Sequence, residues 1–539
     1  MKRRSVRRKK QSVKRRRVDD DDGSAIAIDR LSQLPQPILH NILSLLSQRD
    51  AVRTSVLSKS WRYLWHGRLN VEFRDHWFPR KKVLLSFLDR TLQRYLDQNL
   101  TLQKFLVDMY HYEVDFVLLQ KWIPLLIMNI CVRSFNISFH ESSIFFPLPL
   151  VVFQSESLVE LHLQRCDLSI LKSTHNVMLN NLQTLHLEEV DITDKIFEKI
   201  ISGCPLIENL DVLKCIGMKS IKLHKHHNIK DFCCSVDEQT IIEIEDPHTL
   251  ESFNIQNYCP DWFLPHTNMH FPHLKSLKLH RVQLPAETFD YFSSFFPCLN
   301  ELRLTKCDGL KEILLLSSSI KRLTIKMDTK NRIKAFIDTP NILYFEYSCV
   351  GFLPSIEFAT TSNVWNSKIT VVYKLRRSRN DATFWFLELN KLLKALSQSH
   401  ITLILRPNKY NKLHINDSYG SFYKPVVVEH LKFRGRFSSS GSAILNCFFR
   451  VCRPCYLHMD LFDRRRAKCN FAEYISKLKL IPYETGCFWL QDLEEVSTEV
   501  WKKKAKEWRC IKGTILPALR SQQKIRFRLT WKEHLSKFT

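Results

Sequence analysis

Glycine is scarce in this chain, 11 in 539 residues, which leaves little material for phosphate-cradling loops or flexible linkers. No Walker-type or G-x-G-x-x-G loop is present, nor a G-x-S-x-G elbow or an H-E-x-x-H helix. Long apolar runs are missing too. The nearest, Trp122 to Val132, is interrupted by Pro124 and Asn129 and falls short of the roughly 18 residues a membrane span needs. The charged N-terminus leads into no apolar stretch, so a secretory leader is not expected. Without export, the 16 Cys read as reduced thiols. Acidic residues are outnumbered, 55 against 81 Lys and Arg, and no carboxylate pair stands out for acid–base work.

What is present is the composition of a folded protein, 44% apolar and 25% charged, long enough for several domains or one repeat array. The net charge is +26. Lys2 to Arg17 holds eleven basic residues and Asp19 to Asp22 four acids, so the tail accounts for +7 and the rest for +19. A field of that sign favours acidic partners or nucleic acid without defining a fold. The tail, residues 1–22, cannot bury its like charges and is expected to be disordered. Its two basic clusters resemble a nuclear import signal, which points to the nucleus, with the cytoplasm as a second compartment.

Residues 27–66 carry the first strong pattern. Pro37 suits the first turn of a helix, and Ile38, Leu39, Ile42, Leu43, Leu45 and Leu46 follow at helical spacing. Asp50 is placed to cap a second helix and Ser58 a third, which would carry Trp61, Leu64 and Trp65. Three short helices cannot hide all these side chains alone, so the module needs a cover, either a partner or its own neighbouring domain. The run Asp29 to Pro35, continued through Ile38-Leu39, Ile42-Leu43 and Ala51 to Lys59 and closed by Trp61 to Trp65, resembles the plant F-box. Ser60 stands where that family usually has a basic residue. The resemblance implies docking on a Skp1-like adaptor and, through it, a cullin. It further implies that Leu34, Pro35, Ile38, Ile42 and Leu46 make much of the contact, with Trp61 helping from the third helix.

Residues 70–100 read as a helical linker, with a helix over Val83 to Leu96. From 101 to 350 the chain repeats apolar-x-x-apolar-x-apolar. The clearest copies open at Leu158, Leu182, Leu274 and Leu299, the weaker ones at Val132, Ile207, Ile229, Leu250, Ile320 and Ile342. Successive openings are 26, 24, 25, 22, 21, 24, 25, 21 and 22 residues apart. Pro205, Pro272, Pro297 and Pro340 each lie two residues before an opening, where proline would end a preceding helix. Cys166, Cys215 and Cys307 each follow a motif by three residues. The pattern resembles leucine-rich repeats, each supplying one strand and a helical or irregular return. The alternative is an ordinary alternating α/β domain.

Strand alternation would present Glu160, His162, Gln164, Thr184, His186 and Glu188 on a concave face. Ser276, Lys278, His280, Glu301, Arg303 and Thr305 would join them. From this set Glu160, His162, His186, Lys278, Glu301 and Arg303 are the candidate target-binding residues.

Residues 351–539 read as an irregular α/β continuation, with a helix over Asp381–Ser399 and strands at Ile401–Leu405, Val428–Phe433 and Ile525–Trp531. Cys452 and Cys455, near Cys447, His458 and Cys469, could form a metal or redox site, but buried structural thiols fit the apolar surroundings better. His224, His226 and His227 lie among lysines, which opposes a bound cation.

The fold expected is therefore α/β: a three-helix F-box, then a curved leucine-rich-repeat solenoid with an irregular C-terminal continuation. The function implied is a non-catalytic, target-selecting subunit of a Skp1–cullin–F-box ubiquitin ligase, binding a protein target. No metal, cofactor or membrane partner is expected. The competing reading is a nuclear nucleic-acid-binding or scaffold protein with a basic surface.

Overall fold

The computed structural model describes residues 33–532 with short interruptions and four longer ones, at 257–269, 408–423, 461–487 and 512–524. The basic tail, Asp29 to Ser32, Ser58, Cys469 and the His224–His227 cluster lie outside the described residues. The chain divides into two compact units, Met1–Val71 and Glu72–Thr539.

The first unit holds helices α1 (Gln36–Ser44), α2 (Gln48–Arg53) and α3 (Trp61–Leu64). Pro37 sits in the opening turn of α1, where its missing N–H costs no bond. The cap of α2 differs from the expectation. Ser47, not Asp50, accepts the Asp50 N–H at 3.2 Å, and Asp50 in turn accepts the Ser47 hydroxyl at 2.7 Å. The residue preceding the first turn has the extended backbone a cap requires, and Asp50 already lies inside the helix. Leu39, Leu43, Ala51 and Trp61 form the core, with Leu34, Ile42, Leu46, Leu64 and Trp65 packed around it. Arg68 and Asn70 donate to the carbonyls of Leu46 and Ser44 at 2.6 and 3.2 Å, satisfying groups that the end of α1 leaves open.

The second unit begins within the strand Asn70–Arg74 and continues into a helix over Lys81–Asp97, which buries Leu84, Leu88, Leu92 and Tyr95 from one face. A ladder of parallel strands follows, each pairing with the next repeat's strand. The pairing runs from Lys104–Met109 through the repeats to Cys452–Asp460. The frame read from the sequence fits it repeat by repeat. Val132, Leu158, Leu182, Ile207, Ile229, Leu250, Leu274, Leu299, Ile320 and Ile342 are all buried. In each case a strand begins two residues later, from Ser134–Phe139 to Tyr344–Val350. The register keeps equivalent leucines abreast, as in Leu277 between Phe253 and Leu302. Each such side chain contributes about 1.5–3 kcal/mol by burial, but only because a neighbouring repeat covers it.

Every clear strand ends in the same turn. Arg165, Glu189, Lys214, Arg281 and Lys306 take left-handed backbone, φ 51–55°, which costs a non-glycine residue about 1–3 kcal/mol. Their N–H groups offset it by donating to the next strand's last carbonyl, at 2.6 to 3.0 Å. The following residue turns inward: Cys166, Val190, Val282 and Cys307 are buried. The Cys166, Cys215 and Cys307 thiols donate to strand carbonyls, and burial pushes Cys215 and Cys307 up to about 11. A second ladder was not foreseen. Asn181, Asn228 and Asn341, each just before an opening, donate to a carbonyl of the preceding repeat at 2.8 Å.

The returns depart from the expectation of helix or irregular chain. The 25-residue repeats opening at Leu182 and Leu274 return through helices, Asp194–Ser202 and Phe292–Phe295. The 21- and 22-residue repeats opening at Ile207, Ile229, Leu299 and Ile320 return through strands, Ser220–Leu223, Ile241–Ile244, Glu312–Leu316 and Lys334–Asp338. A strand rises about 3.3 Å per residue and a helix about 1.5 Å, so a shorter return must be extended to close the repeat. Pro205 and Pro297 do follow helices, whereas Pro340 follows the strand Lys334–Asp338.

The ladder continues beyond residue 350 with longer strands, Trp365–Tyr373, Ser399–Pro407, Val426–Arg434 and Cys452–Asp460, backed by helices Arg379–Ala395 and Gly441–Val451. It ends in antiparallel strands, Ile525–Trp531 pairing with both Cys452–Asp460 and Leu493–Lys502. Among the described residues no helix is long and apolar enough to cross a membrane.

Candidate functional site

Two surfaces collect the candidate residues, one on each unit. On the helical unit α1 carries two apolar stripes. At about 100° per residue, Leu39, Leu43 and Leu46 fall together and face the core. Ile38, Ile42 and Leu45 make a second stripe beside them. Ile38 is 46% exposed and Leu45 87%; beyond α2, Val56 is 85% and Leu57 58% exposed. Pro35 is exposed, and Leu34, Ile42 and Leu46 are half-buried against the core. Trp61 is corrected. At 2% exposure it belongs to the unit's own core, because an indole on so short a helix is what fills the space between α1 and α2. Leu45, Val56 and Leu57 were missed as candidates. Once Leu39 and Leu43 are given to the core, the i, i+4, i+7 spacing of Ile38, Ile42 and Leu45 marks the outer stripe.

On the ladder the outward positions line up in ranks across the register. His162, His186 and Asp211 stand abreast, with Gln164 beside Glu188. The two imidazoles stack with centroids 5.1 Å apart. His186 Nδ1 lies 2.9 Å from Asp211 and Nε2 3.7 Å from Glu188. Burial pulls His186 down, but the bond and charge of Asp211, joined by Glu188, outweigh it and leave the pKa raised. Burial and the neighbouring His186 lower His162. Glu160 accepts the Ser134 hydroxyl at 2.7 Å.

Lys278, Glu301 and Arg303 form a separate group that begins four strands beyond His186. Arg303 donates to Glu301 at 3.0 Å, and Ser276 reaches the same carboxylate at 3.4 Å. The six candidate residues therefore share one face but make two clusters. Asn254, Gln256 and Glu346, also on this face, were missed; the weaker frames at Leu250 and Ile342 locate them. Burial raises the Glu346 carboxyl, but Lys368 and Lys326 overcome this and hold it below the usual range.

Cys452 is buried, its thiol 3.3 Å from the Phe448 carbonyl and pushed up to about 12 by burial. His458 packs on His430, nitrogen to nitrogen 3.2 Å. Among the described residues no three His, Cys, Asp or Glu side chains gather as a metal set.

Comparison with known proteins matches both regions. Residues 31–71 match the F-box domain, and residues 119–261 match the leucine-rich repeats of the FBD-associated F-box protein At5g56370. Among Arabidopsis thaliana proteins, the chain is 35% identical over 228 residues to F-box/LRR-repeat protein At3g59200, covering 40% of each. It is 29% identical over 260 residues to putative F-box/LRR-repeat protein At4g00320, covering 42% of this chain and 49% of that one. With F-box/FBD/LRR-repeat protein At1g51370 the identity is 31% over 327 residues, covering 59% and 66%. The chain thus spans about half the length of the first two relatives, 40% and 49%.

Proposed function

Since the chain carries an F-box and FBD-associated leucine-rich repeats and has Arabidopsis F-box/LRR-repeat proteins as relatives, we propose that it is the target-selecting subunit of a Skp1–cullin–F-box ubiquitin ligase. The helical unit would dock a Skp1-like adaptor, which brings a cullin. The ladder, read as a curved solenoid, would hold a protein target along its outward ranks. The chain would perform no chemistry of its own. It acts by proximity, raising the target's effective concentration beside the transferring subunits. The basic tail would direct it to the nucleus.

One observation carries the reading: the helical unit has a complete core and still leaves Ile38, Leu45, Val56 and Leu57 in water. Each forgoes a share of the roughly 1.5–3 kcal/mol that cover would supply. A foreign apolar surface recovers it. Ile42 lies in the same stripe and Leu34, Pro35 and Leu46 border it, while Trp61 supports it from within. The test is co-purification with a Skp1-like protein. The intact chain should retain it, and Leu45→Glu combined with Ile38→Glu should lose it with the fold unchanged by circular dichroism. Undiminished retention by the double variant would sink the proposal.

A further inference from the structure

Several cations on or beside the outward ranks are already engaged. Lys326 and Lys368 share Glu346 at 3.4 and 2.9 Å, Lys306 meets Asp328 at 2.7 Å, and Arg322 lies over the Tyr344 ring. Lys278 differs. Among the described residues no carboxylate lies within ion-pair distance of it. Its register neighbour Arg303 spends one nitrogen on Glu301 and keeps its other donors. The two cations stand side by side on adjoining strands, about 4.8 Å apart in the sheet.

They belong to a cleft of about 310 Å³ lined by Asn254, Gln256, Lys278, His280, Arg303 and Thr305. The register sets these side chains in two ranks, Asn254–Lys278–Arg303 and Gln256–His280–Thr305. Burial, with Arg281 and Lys306 nearby, holds the His280 imidazole below its ordinary pKa. In either protonation state the ring keeps an N–H to donate. A carboxylate has two oxygens and one charge, too few for six polar side chains in two ranks around two cations. A phosphoryl group presents three oxygens and nearly two charges, which an Arg and Lys pair can meet with several charge-assisted hydrogen bonds.

We propose that this cleft is a phosphoryl-binding site, the point at which the ladder grips a phosphate-bearing target. The proposal deepens the target-binding reading given above and rests on it. The shared chemistry could be presented by a phosphorylated peptide or by a small free phosphate.

Calorimetric titration of the full chain at physiological salt tests it, with inorganic phosphate and N-acetyl-phosphoserine amide as probes and the unphosphorylated amide as blank. Saturable binding of a phosphate probe is expected, weakened about tenfold or more in Lys278→Gln and in Arg303→Gln. Lys334→Gln, on the other sheet and paired with Glu312, should leave it unchanged. Tighter binding of the amide than of phosphate assigns the site to a peptide, and the reverse to a small phosphate. Failure of the unmodified chain to bind either probe saturably would overturn the proposal, as would equal binding by both glutamine variants. Adaptor retention, measured on the same proteins, reports separately. Lys278→Gln should keep the adaptor, and the Ile38/Leu45 double variant should keep phosphate binding.

Discussion

In the ladder, every aliphatic that opens a frame from Val132 to Ile342 is buried, while in the helical unit Leu45 and Val56 stand almost wholly in water. The two regions have similar oily material and differ in who covers it. A repeat finds its cover in the next repeat of the same chain. A three-helix unit of some forty residues has no next copy and completes only one core. The contrast teaches that exposed apolar surface here reflects the number of neighbours and not poor packing.

The comparison can be broken most forcefully at Trp61. Trp61→Ala should cost the helical unit about 3–5 kcal/mol. Denaturant unfolding should then show an early transition for that unit with the ladder's transition unmoved; a joint shift of both would show that the two unfold as one. In the ladder the corresponding weak point is backbone. Gly309 has φ +85°, and a Cβ there would lie 2.3 Å from the Leu284 carbonyl oxygen of the adjoining repeat. Gly309→Ala should lose about 1–3 kcal/mol of ladder stability without altering adaptor retention.

The third way to sharpen it is pH, which acts on the ladder through its half-buried imidazoles. Burial, with Lys432, His430 and Arg526 nearby, lowers His458 to about 3. Between that value and the ordinary 6.5 the unfolded chain binds more protons than the folded one, so stability falls as pH drops through this window. The share of His458 in the loss by pH 5 should be about 1 kcal/mol after solvent screening, and His458→Gln should remove that share while leaving those of His162, His280 and His430, whose pKa values burial also lowers. His186 has the opposite sign: its raised pKa adds stability below the unfolded value, which is lost as pH rises through the folded one. Urea midpoints across pH separate the two. The smallest effect is at Leu45. Leu45→Ser should move stability by no more than about 0.5 kcal/mol and yet weaken adaptor retention, because its side chain supports nothing inside the unit.

How much of this was legible depended on whether a signal was local. The strand starts were, since three apolar positions, with a proline before four of the ten openings, sit in one short window, and a strand begins two residues after each opening. The helices Lys81–Asp97 and Arg379–Ala395 were legible to within a few residues for the same reason. The side of α1 that faces inward was not. Ile38 and Leu39 are chemically alike and adjacent, and only the placement of α2 and Trp61 decides between them. The candidate residues of the ladder were identified individually, but their division into a histidine–acid cluster and a cationic cleft depends on the three intervening strands, whose frames are weak. The strand-type returns were overlooked although their signal, a repeat of 21 or 22 residues in place of 25, was countable.

That difference in repeat length has a consequence for how such a molecule can change. The front of the sheet is fixed by register, so a gained or lost residue there would shift every rank after it. The back tolerates a gain of three or four residues by winding an extended segment into a coil of equal span. Insertions and deletions are thus absorbed on one side of the sheet, and point substitutions are tested on the other. A lineage can vary the bulk it carries behind the ladder without disturbing what it reads in front.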